Sequence, residues 1–482
     1  MTDILSRIGS FAVETEATDG TAETIVAADV LNCVESAIIK NPNLAPRGVI
    51  RDEAQPLTPK IGGLSCDVSC SVELKGSGTA GTKHDPLCDL LEACGIAMTA
   101  DAGYAVRGAL SATMANQNPA TIKKNVNGKY ITACGVMGNP TFTLKAGERG
   151  ILAFEGMGPL HAEGDESALA EASESLSPPI LINNDIWFTE HHATTEDDCD
   201  GDGELLRGAA GYGEKLEKVI VQGSTTQKVI GIGVWLKTIG TPASETHGLW
   251  ATIEGDTAGD PDGTPITNGT SGYLATTGIS DTDWELYFLE FGSYGLRPTF
   301  TASTTYHVVL QGDWTQADAN CISVDTDVVV EGSQNSQEYD GEAWNAVTLE
   351  NLSMLILVAP DVENFFDGAE IKPNNNVVMI QDPNATQGWR FAKVTGYGDG
   401  VKATVTPLEK LDSEQDFWTE LTAGTDCLFR VVLGTAAGNN IEFIFQHCTV
   451  SNAGTWDDRE GLATHPLELH LTSISDFAVV MK

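Results

Sequence analysis

Alternation of apolar and polar residues is the commonest pattern along the chain. From position 64 to 74, Leu64, Cys66, Val68, Cys70, Val72 and Leu74 take one set of positions, and Ser65, Asp67, Ser69, Ser71 and Glu73 take the other. Successive side chains of a strand point to opposite faces, so this pattern predicts a half-buried strand, long by ordinary standards. The glycine-rich stretch 76–82 then reads as a flexible loop. Over 85–95 the period changes: Leu87, Leu90, Leu91 and Cys94 share one face of a short helix laid on a sheet. Asp85 is its expected N-cap, Pro86 suits the first turn and Gly95 the stop. Further strands are expected at 151–156, 219–221, 229–236, 249–253, 284–288, 306–310, 355–358, 441–445 and 467–471, between Gly-, Asp- and Thr-rich turns. Residues 162–178, rich in Ala, Ser and Glu, read as a short exposed helix or a linker. The chain is therefore expected to be mainly β, with an antiparallel β-sandwich in its middle.

Composition adds a strong charge bias. The 482 residues carry 68 Asp and Glu against 27 Lys and Arg, a net charge of −41. Phosphate binding needs clustered cations that release counterions, so a generic nucleic-acid-binding surface is excluded, and attraction to anionic lipid is not expected. Residues 181–360 alone hold 28 acidic and 6 basic residues, net −22, which marks a separate module there. No apolar run is long enough to span a bilayer, and the first residues lack the plan of a secretory signal. The ten cysteines are scattered without a CxxC motif and read mostly as free thiols.

Candidate chemistry is sparse. Asp198, Asp200 and Asp202 fit the first half of a calcium loop, but the twelfth position is Ala209, not Glu, so the stretch reads as a solvated acidic turn. His191 and His192 with Glu196 lie on a polar loop, and His447-Cys448 at a strand end reads as core packing. Neither a GxSxG elbow nor an HExxH motif occurs, and 76–82 lacks the ending of a phosphate loop. No enzyme activity and no cofactor is expected.

Several stretches in order carry a family resemblance. The strand and loop 66–81, followed by Pro86-Leu87-Cys88-Asp89-Leu90-Leu91-Glu92-Ala93-Cys94-Gly95, resemble the major tail tube proteins of long-tailed (siphovirus-like) bacteriophages. So do the opening at 11–21, with Asp19 where an aromatic is commoner, the hairpin at 145–156, and Gly438-Asn439-Asn440-Ile441-Glu442-Phe443. The resemblance covers about 1–160 and 365–475, and the acidic middle exceeds the family's usual length. It implies a tail-tube β-sandwich with a short flanking α-helix, hexameric rings closed as a β-barrel on oligomerisation, and stacking into a tube through which DNA passes without specific binding. The implied partners are other copies, a tape measure inside the tube, and the tail terminator and distal tail proteins at its ends, with no membrane. The implied location is the virion, after assembly in the host bacterial cytoplasm. The middle separately resembles jelly-roll decorating modules, through 231–236 and 304–310. The expected division is then 1–185 and 362–482 for the tube domain and 186–361 for an inserted β-sandwich (jelly-roll or Ig-like) projecting outward. Asp67 and Glu73 are expected to face the lumen, and Val68 and Val72 to lie on the strand at the ring interface. The alternative reading is an extracellular carbohydrate-binding or adhesin-like β-sandwich protein.

Overall fold

The computed structural model describes residues 9–45, 60–111, 113–167, 169, 176–181, 186–192, 203–206, 215–242, 248–292, 297–314, 320–327, 337–339, 343–346, 351–358, 366–407, 417–454, 457–459 and 462–482. The protein is mainly β, with large antiparallel sheets and short helices. It divides into two units. Unit 1 comprises Met1–Ile186, Asn364–Gly424 and Arg430–Lys482, and unit 2 comprises Trp187–Glu363 with the short segment Thr425–Phe429.

In unit 1 the first part of the chain supplies β1 (Gly9–Thr15), β2 (Cys33–Ala45), β3 (Lys60–Glu73), α1 (Asp85–Glu92), β4 (Ile96–Asp101), β5 (Ala105–Leu110), β6 (Ala120–Val126), β7 (Lys129–Lys145) and β8 (Ile151–Asp165). The later part supplies β9 (Phe366–Lys372), β10 (Asn375–Gln381), β11 (Trp389–Tyr397), β12 (Lys402–Pro407), β13 (Ile441–Ala453), β14 (Leu467–Leu471) and β15 (Phe477–Met481). Eleven strands form one antiparallel sheet in the order β2-β3-β8-β7-β9-β12-β14-β13-β15-β5-β4. The other halves of β7 and β8 pair with each other and continue through β6 to β1. The register of β7 against β8 shifts between Ala133 and Met137, so each strand serves both sheets. The hairpin of β10 and β11 packs beside this bend, with Ala392 and Val394 against Met137 and Met157.

The alternation in β3 appears as expected: Cys66, Val68, Cys70, Val72 and Leu74 are buried, Asp67 and Ser69 are exposed, and Glu73 is half-buried. The helix differs in two ways. Its N-cap is His84, whose carbonyl accepts from the Leu87 and Cys88 amides, and Asp85 is the first helical residue, where its charge suits the positive end of the helix dipole. Pro86, Cys88 and Glu92 are buried as well as the predicted face, so α1 lies inside unit 1 and not on its surface. Residues 162–165 extend β8 by pairing with β7, where a helix or linker was expected. The ladder to Lys129–Thr132 of β7 decides strand against helix there, and composition does not.

The glycine-rich 76–82 stretch is not a loose loop. The Gly76 amide donates to Asn439 Oδ1 at 3.0 Å, and the Gly78 amide to the Gly438 carbonyl at 2.8 Å. A Cβ on Gly438 would stand 2.2 Å from the Gly78 carbonyl carbon, and its φ of +76° already disfavours any other residue. Two glycine turns from distant parts of the chain thus cross at backbone contact distance.

The exit and return of the chain toward unit 2 meet at one turn of unit 1. Leu181 bridges Ala146 and donates its amide to the Glu148 carbonyl, while Gly368 pairs with Lys145.

Unit 2 is a β-sandwich. One sheet runs Asp260–Thr270, Leu249–Thr257, Thr305–Gly312, Leu216–Val221, Gln337–Tyr339 and Trp344–Ala346. The other centres on Gln227–Ile239, flanked by Glu285–Glu290 and Met354–Val358. Val229, Ile232 and Val234 from one sheet share a core with Ile253, Val308 and Leu310 from the other. Leu428, from the late segment, packs with Trp187, Trp235, Leu286, Leu355 and Leu357. Inside the first sheet His307 bonds Glu217 Oε2 through Nδ1 at 2.6 Å and Asp256 Oδ1 through Nε2 at 3.1 Å. Burial alone would lower its pKa, but the two carboxylates outweigh it and raise it.

Gly438→Ala tests the crossed turns. The left-handed backbone and the clash predict a loss of at least about 2 kcal/mol, read as an earlier denaturant midpoint with unchanged slope. An unchanged midpoint would show that the two turns do not touch.

Candidate functional site: a polar sheet face

The face of the large sheet opposite its apolar core is built from the polar positions of eight of its strands. Residues paired across an antiparallel ladder share a face, so the register defines the surface. One row crosses seven strands: Glu73 of β3, Ile151 of β8, Thr143 of β7, Glu370 of β9, Thr404 of β12, Glu468 of β14 and Asn452 of β13. A neighbouring row joins Glu35 of β2, Ser71 of β3, Ala153 of β8 and Thr141 of β7. The next joins Ala37, Ser69, Glu155 and Asn139. Most of these side chains are small, and Glu35, Ser69 and Glu155 are exposed.

Acid dominates the charged positions, and part of it is balanced. Arg149 pairs with Glu73, Lys372 with Glu370 at 2.5 Å, and Lys402 with Glu468 at 3.0 Å. The Lys402 hydrogen bond holds the Glu468 carboxyl below the ordinary range. Asp67 accepts from Asn41 Nδ2 at 2.6 Å. Exposed pairs of this kind contribute little stability, at most about 1 kcal/mol each, and act mainly to orient side chains.

The sequence-predicted residues divide as follows. Asp67 and Glu73 lie on this polar face, together with Glu35, Glu155, Glu370 and Glu468, which sequence reading did not single out. The alternation at 467–471, with Glu468 between Leu467 and Leu469, was the available signal. Val68 and Val72 lie in the core, 1% and 0% exposed, on a strand paired along both flanks by β2 and β8. β3 is thus an internal strand, where one at the ring interface was expected. Asp198, Asp200, Asp202 and Glu196 lie outside the described residues. His192 is buried, and its Nε2 meets Gln222 Oε1 at 2.8 Å; burial lowers its pKa. Cys448 is fully buried.

Three carboxyls frame the sheet, Glu16 and Glu442 buried and Glu14 half-buried. Glu16 accepts from the Gly135 amide at 2.6 Å, Thr121 Oγ1 at 2.9 Å and the Gly20 amide at 2.6 Å. Burial nevertheless pushes its pKa up against those bonds. Glu14 is pushed up to about 7 by burial first and then by the facing Asp29 and Asp89 carboxylates. Glu442 of β13 shows the opposite case: burial opposes ionisation, but Arg430 and Lys482 Nζ, the latter at 3.0 Å, hold it down to about 2.

No protein-family model and no curated protein matches the chain. No helix among the described residues is long and apolar enough to cross a membrane.

The two kinds of carboxyl give opposite pH dependences. Glu14, raised when folded, contributes stability below the ordinary carboxylate pKa that is lost as pH rises through about 7. Thermal melts of unit 1 should therefore fall between pH 5 and pH 8, and Glu14→Gln should flatten that slope; an equally steep fall would clear Glu14. Glu442, lowered when folded, contributes stability above the ordinary range that is lost as pH drops toward 2. Glu442→Gln leaves the nearly buried Arg430 without its carboxylate and should cost about 3–5 kcal/mol at neutral pH. It should also reduce the pH dependence below pH 4, followed by chemical denaturation.

Proposed function

We propose that the chain is the structural subunit of a bacteriophage tail tube, assembling head to tail into rings that stack around a DNA-conducting lumen. The observation that carries this reading is the eleven-stranded sheet, open at two unlike ends. Among the described residues, β2 pairs only with β3 and β4 only with β5. An unpaired edge is a template for another chain. A contact between two different edges is heterologous, and when its rotation closes it makes a ring with two distinct faces for stacking. β2 is 13 residues long, and its Val34, the extra residue where the register shifts, is 68% exposed. The ordered resemblance to tail tube proteins supports the same reading and supplies the hexameric ring size.

On this reading the polar face lines the lumen. Small side chains leave it smooth, and carboxylates repel phosphate, so DNA slides without adhering. Since Glu73, Glu370 and Glu468 each carry a cation, the repulsion comes from Glu35, Asp67 and Glu155. A second reading, glycan binding by unit 2, is favoured by one feature: Tyr273, 56% exposed, stands edge-on to Trp250 at 5.7 Å, an aromatic surface open to solvent.

Negative-stain microscopy of the purified protein tests the proposal, with Val34→Lys as the variant. Substitutions at Val68 or Val72 would unfold the core and cannot report on assembly. The expected outcome is rings or tubes for the wild type and dispersed, folded subunits for the variant. Dispersed wild-type subunits that bind a glycan array, or unchanged tubes from the variant, would contradict it.

A further inference from the structure

The turn that joins β10 to β11 reads Asp382-Pro383-Asn384-Ala385-Thr386-Gln387-Gly388, a run rich in turn formers, and Trp389 and Arg390 follow it. Its backbone closes on itself. The Ala385 amide donates to the Asp382 carbonyl at 3.0 Å, the Gly388 amide to the Ala385 carbonyl at 2.9 Å, and the Asp382 amide to the Gly388 carbonyl at 3.1 Å. Asp382 Oδ1 accepts from the Asn384 amide at 2.8 Å. Two distant glycines pin the turn from either flank. The Leu64 amide donates to Gln387 Oε1 at 3.1 Å, and a Cβ on Gly63 would stand 2.0 Å from the Gln387 carbonyl oxygen. A Cβ on Gly20 would stand 2.4 Å from the Arg390 carbonyl oxygen. The turn is therefore fixed before any ligand arrives, which lowers the cost of binding one.

This turn and the β7–β8 hairpin enclose an open cavity of about 560 Å³, within the usual span of ligand sites, about 300–1,000 Å³. His161, Asp382, Asn384, Thr386, Trp389 and Arg390 line it. Among the described residues, the His161 ring, the Asn384 side-chain amide, the Thr386 hydroxyl and the Trp389 indole N–H have no hydrogen-bond partner. The Arg390 guanidinium meets only the Phe391 ring, at 5.7 Å. Donors and acceptors are thus both on offer: Arg390 and the Trp389 N–H donate, Asp382 accepts, and His161, Asn384 and Thr386 do both. Hydroxyl groups, which donate and accept at once, satisfy such a wall. The charges of Arg390 and Asp382 balance, so the wall holds no excess cation for an anion, and the net charge of −41 repels one. The half-buried Trp389 indole adds an apolar face on which the C–H side of a sugar ring can pack.

We propose that this cavity is a saccharide-binding site for an uncharged sugar, with Trp389 as the packing face and Asp382, Asn384 and Arg390 bonding the hydroxyls. The site binds and does not cut. Among the described residues Asp382 is the one carboxylate that lines it, whereas glycoside hydrolysis uses two. Burial pushes the Cys134 thiol, also in the wall, up to about 12, so it is no nucleophile at neutral pH. The site belongs to unit 1, is separate from the Trp250–Tyr273 surface of unit 2, and does not depend on the assembly proposed above.

The experiment measures binding of free sugars to the full-length protein by saturation-transfer NMR. The probes are glucose, galactose and mannose, each beside its uronic acid as the charged counterpart. The expected result is binding of at least one neutral sugar, tighter than that of its uronic acid. Arg390→Gln and Asn384→Ala should each weaken that binding about tenfold, Trp389→Ala should abolish it, and Tyr273→Ala should leave it unchanged. Arg390 and Asn384 are exposed, so their variants decide the matter if Trp389→Ala does not fold. Four results would overturn the proposal: no binding of any of the three neutral sugars, tighter binding of the uronic acids, binding untouched by Arg390→Gln and Asn384→Ala, or binding lost in Tyr273→Ala.

Discussion

The bend in the β7–β8 hairpin is the constraint on which unit 1 depends. Two strands of 17 and 15 residues pair with each other along most of their length, yet they belong to two sheets. That requires a register break, and the break sits where Gly135 adopts a φ of +57° and gives its amide to the buried Glu16 carboxyl. The same carboxyl takes the Gly20 amide and the Thr121 hydroxyl, so one side chain fixes the bend, the loop after β1 and the strand β6 together. A half-satisfied buried carboxyl would cost far more than it contributes; three donors are what make it tolerable.

From that bend the rest of unit 1 follows. Beyond it, β7 and β8 carry the ladder out to β3 and β2 on one side and to β9 and β12 on the other. This aligns Glu73, Ile151, Thr143, Glu370, Thr404, Glu468 and Asn452 in one row. The turn after β7 is also where Leu181 and Gly368 lie side by side, so a long segment leaves and returns without disturbing the ladder. An insertion between neighbouring chain ends is the kind a domain tolerates. The segment is not the whole of unit 2, however. Thr425–Phe429 also belongs to it, with Leu428 in its core, so removing 190–358 alone would leave Leu428 only Trp187 of its five core partners.

Much of this was legible in the sequence, for one physical reason. A strand with one wet face must alternate, so β3, the start of β8 and β14 announced themselves, and Asp67 and Glu73 could be placed on the polar face. What alternation does not encode is which strands are neighbours. Val68 and Val72 were assigned to a strand at the ring interface because nothing local says that β2 and β8 will cover both flanks of β3. The crossing of 76–78 with 438 is a contact between glycines more than 350 positions apart, and glycines carry no side-chain pattern to betray it. The N-cap failed by one residue, since Asp85 suits both the cap and the first turn. Leu428 gave no signal because its strand, Cys427–Leu433, is buried on both faces and does not alternate.

The central claim is that the polar face looks inward on a lumen formed by copies of unit 1 joined edge to edge. Cryo-electron microscopy of the assembled protein tests it most directly. The account predicts a ring in which the edge of β2 meets a neighbouring subunit, with Glu35, Asp67 and Glu155 lining the channel. A ring with those carboxylates on its outer surface, or a protein that stays monomeric at every concentration examined, would contradict it.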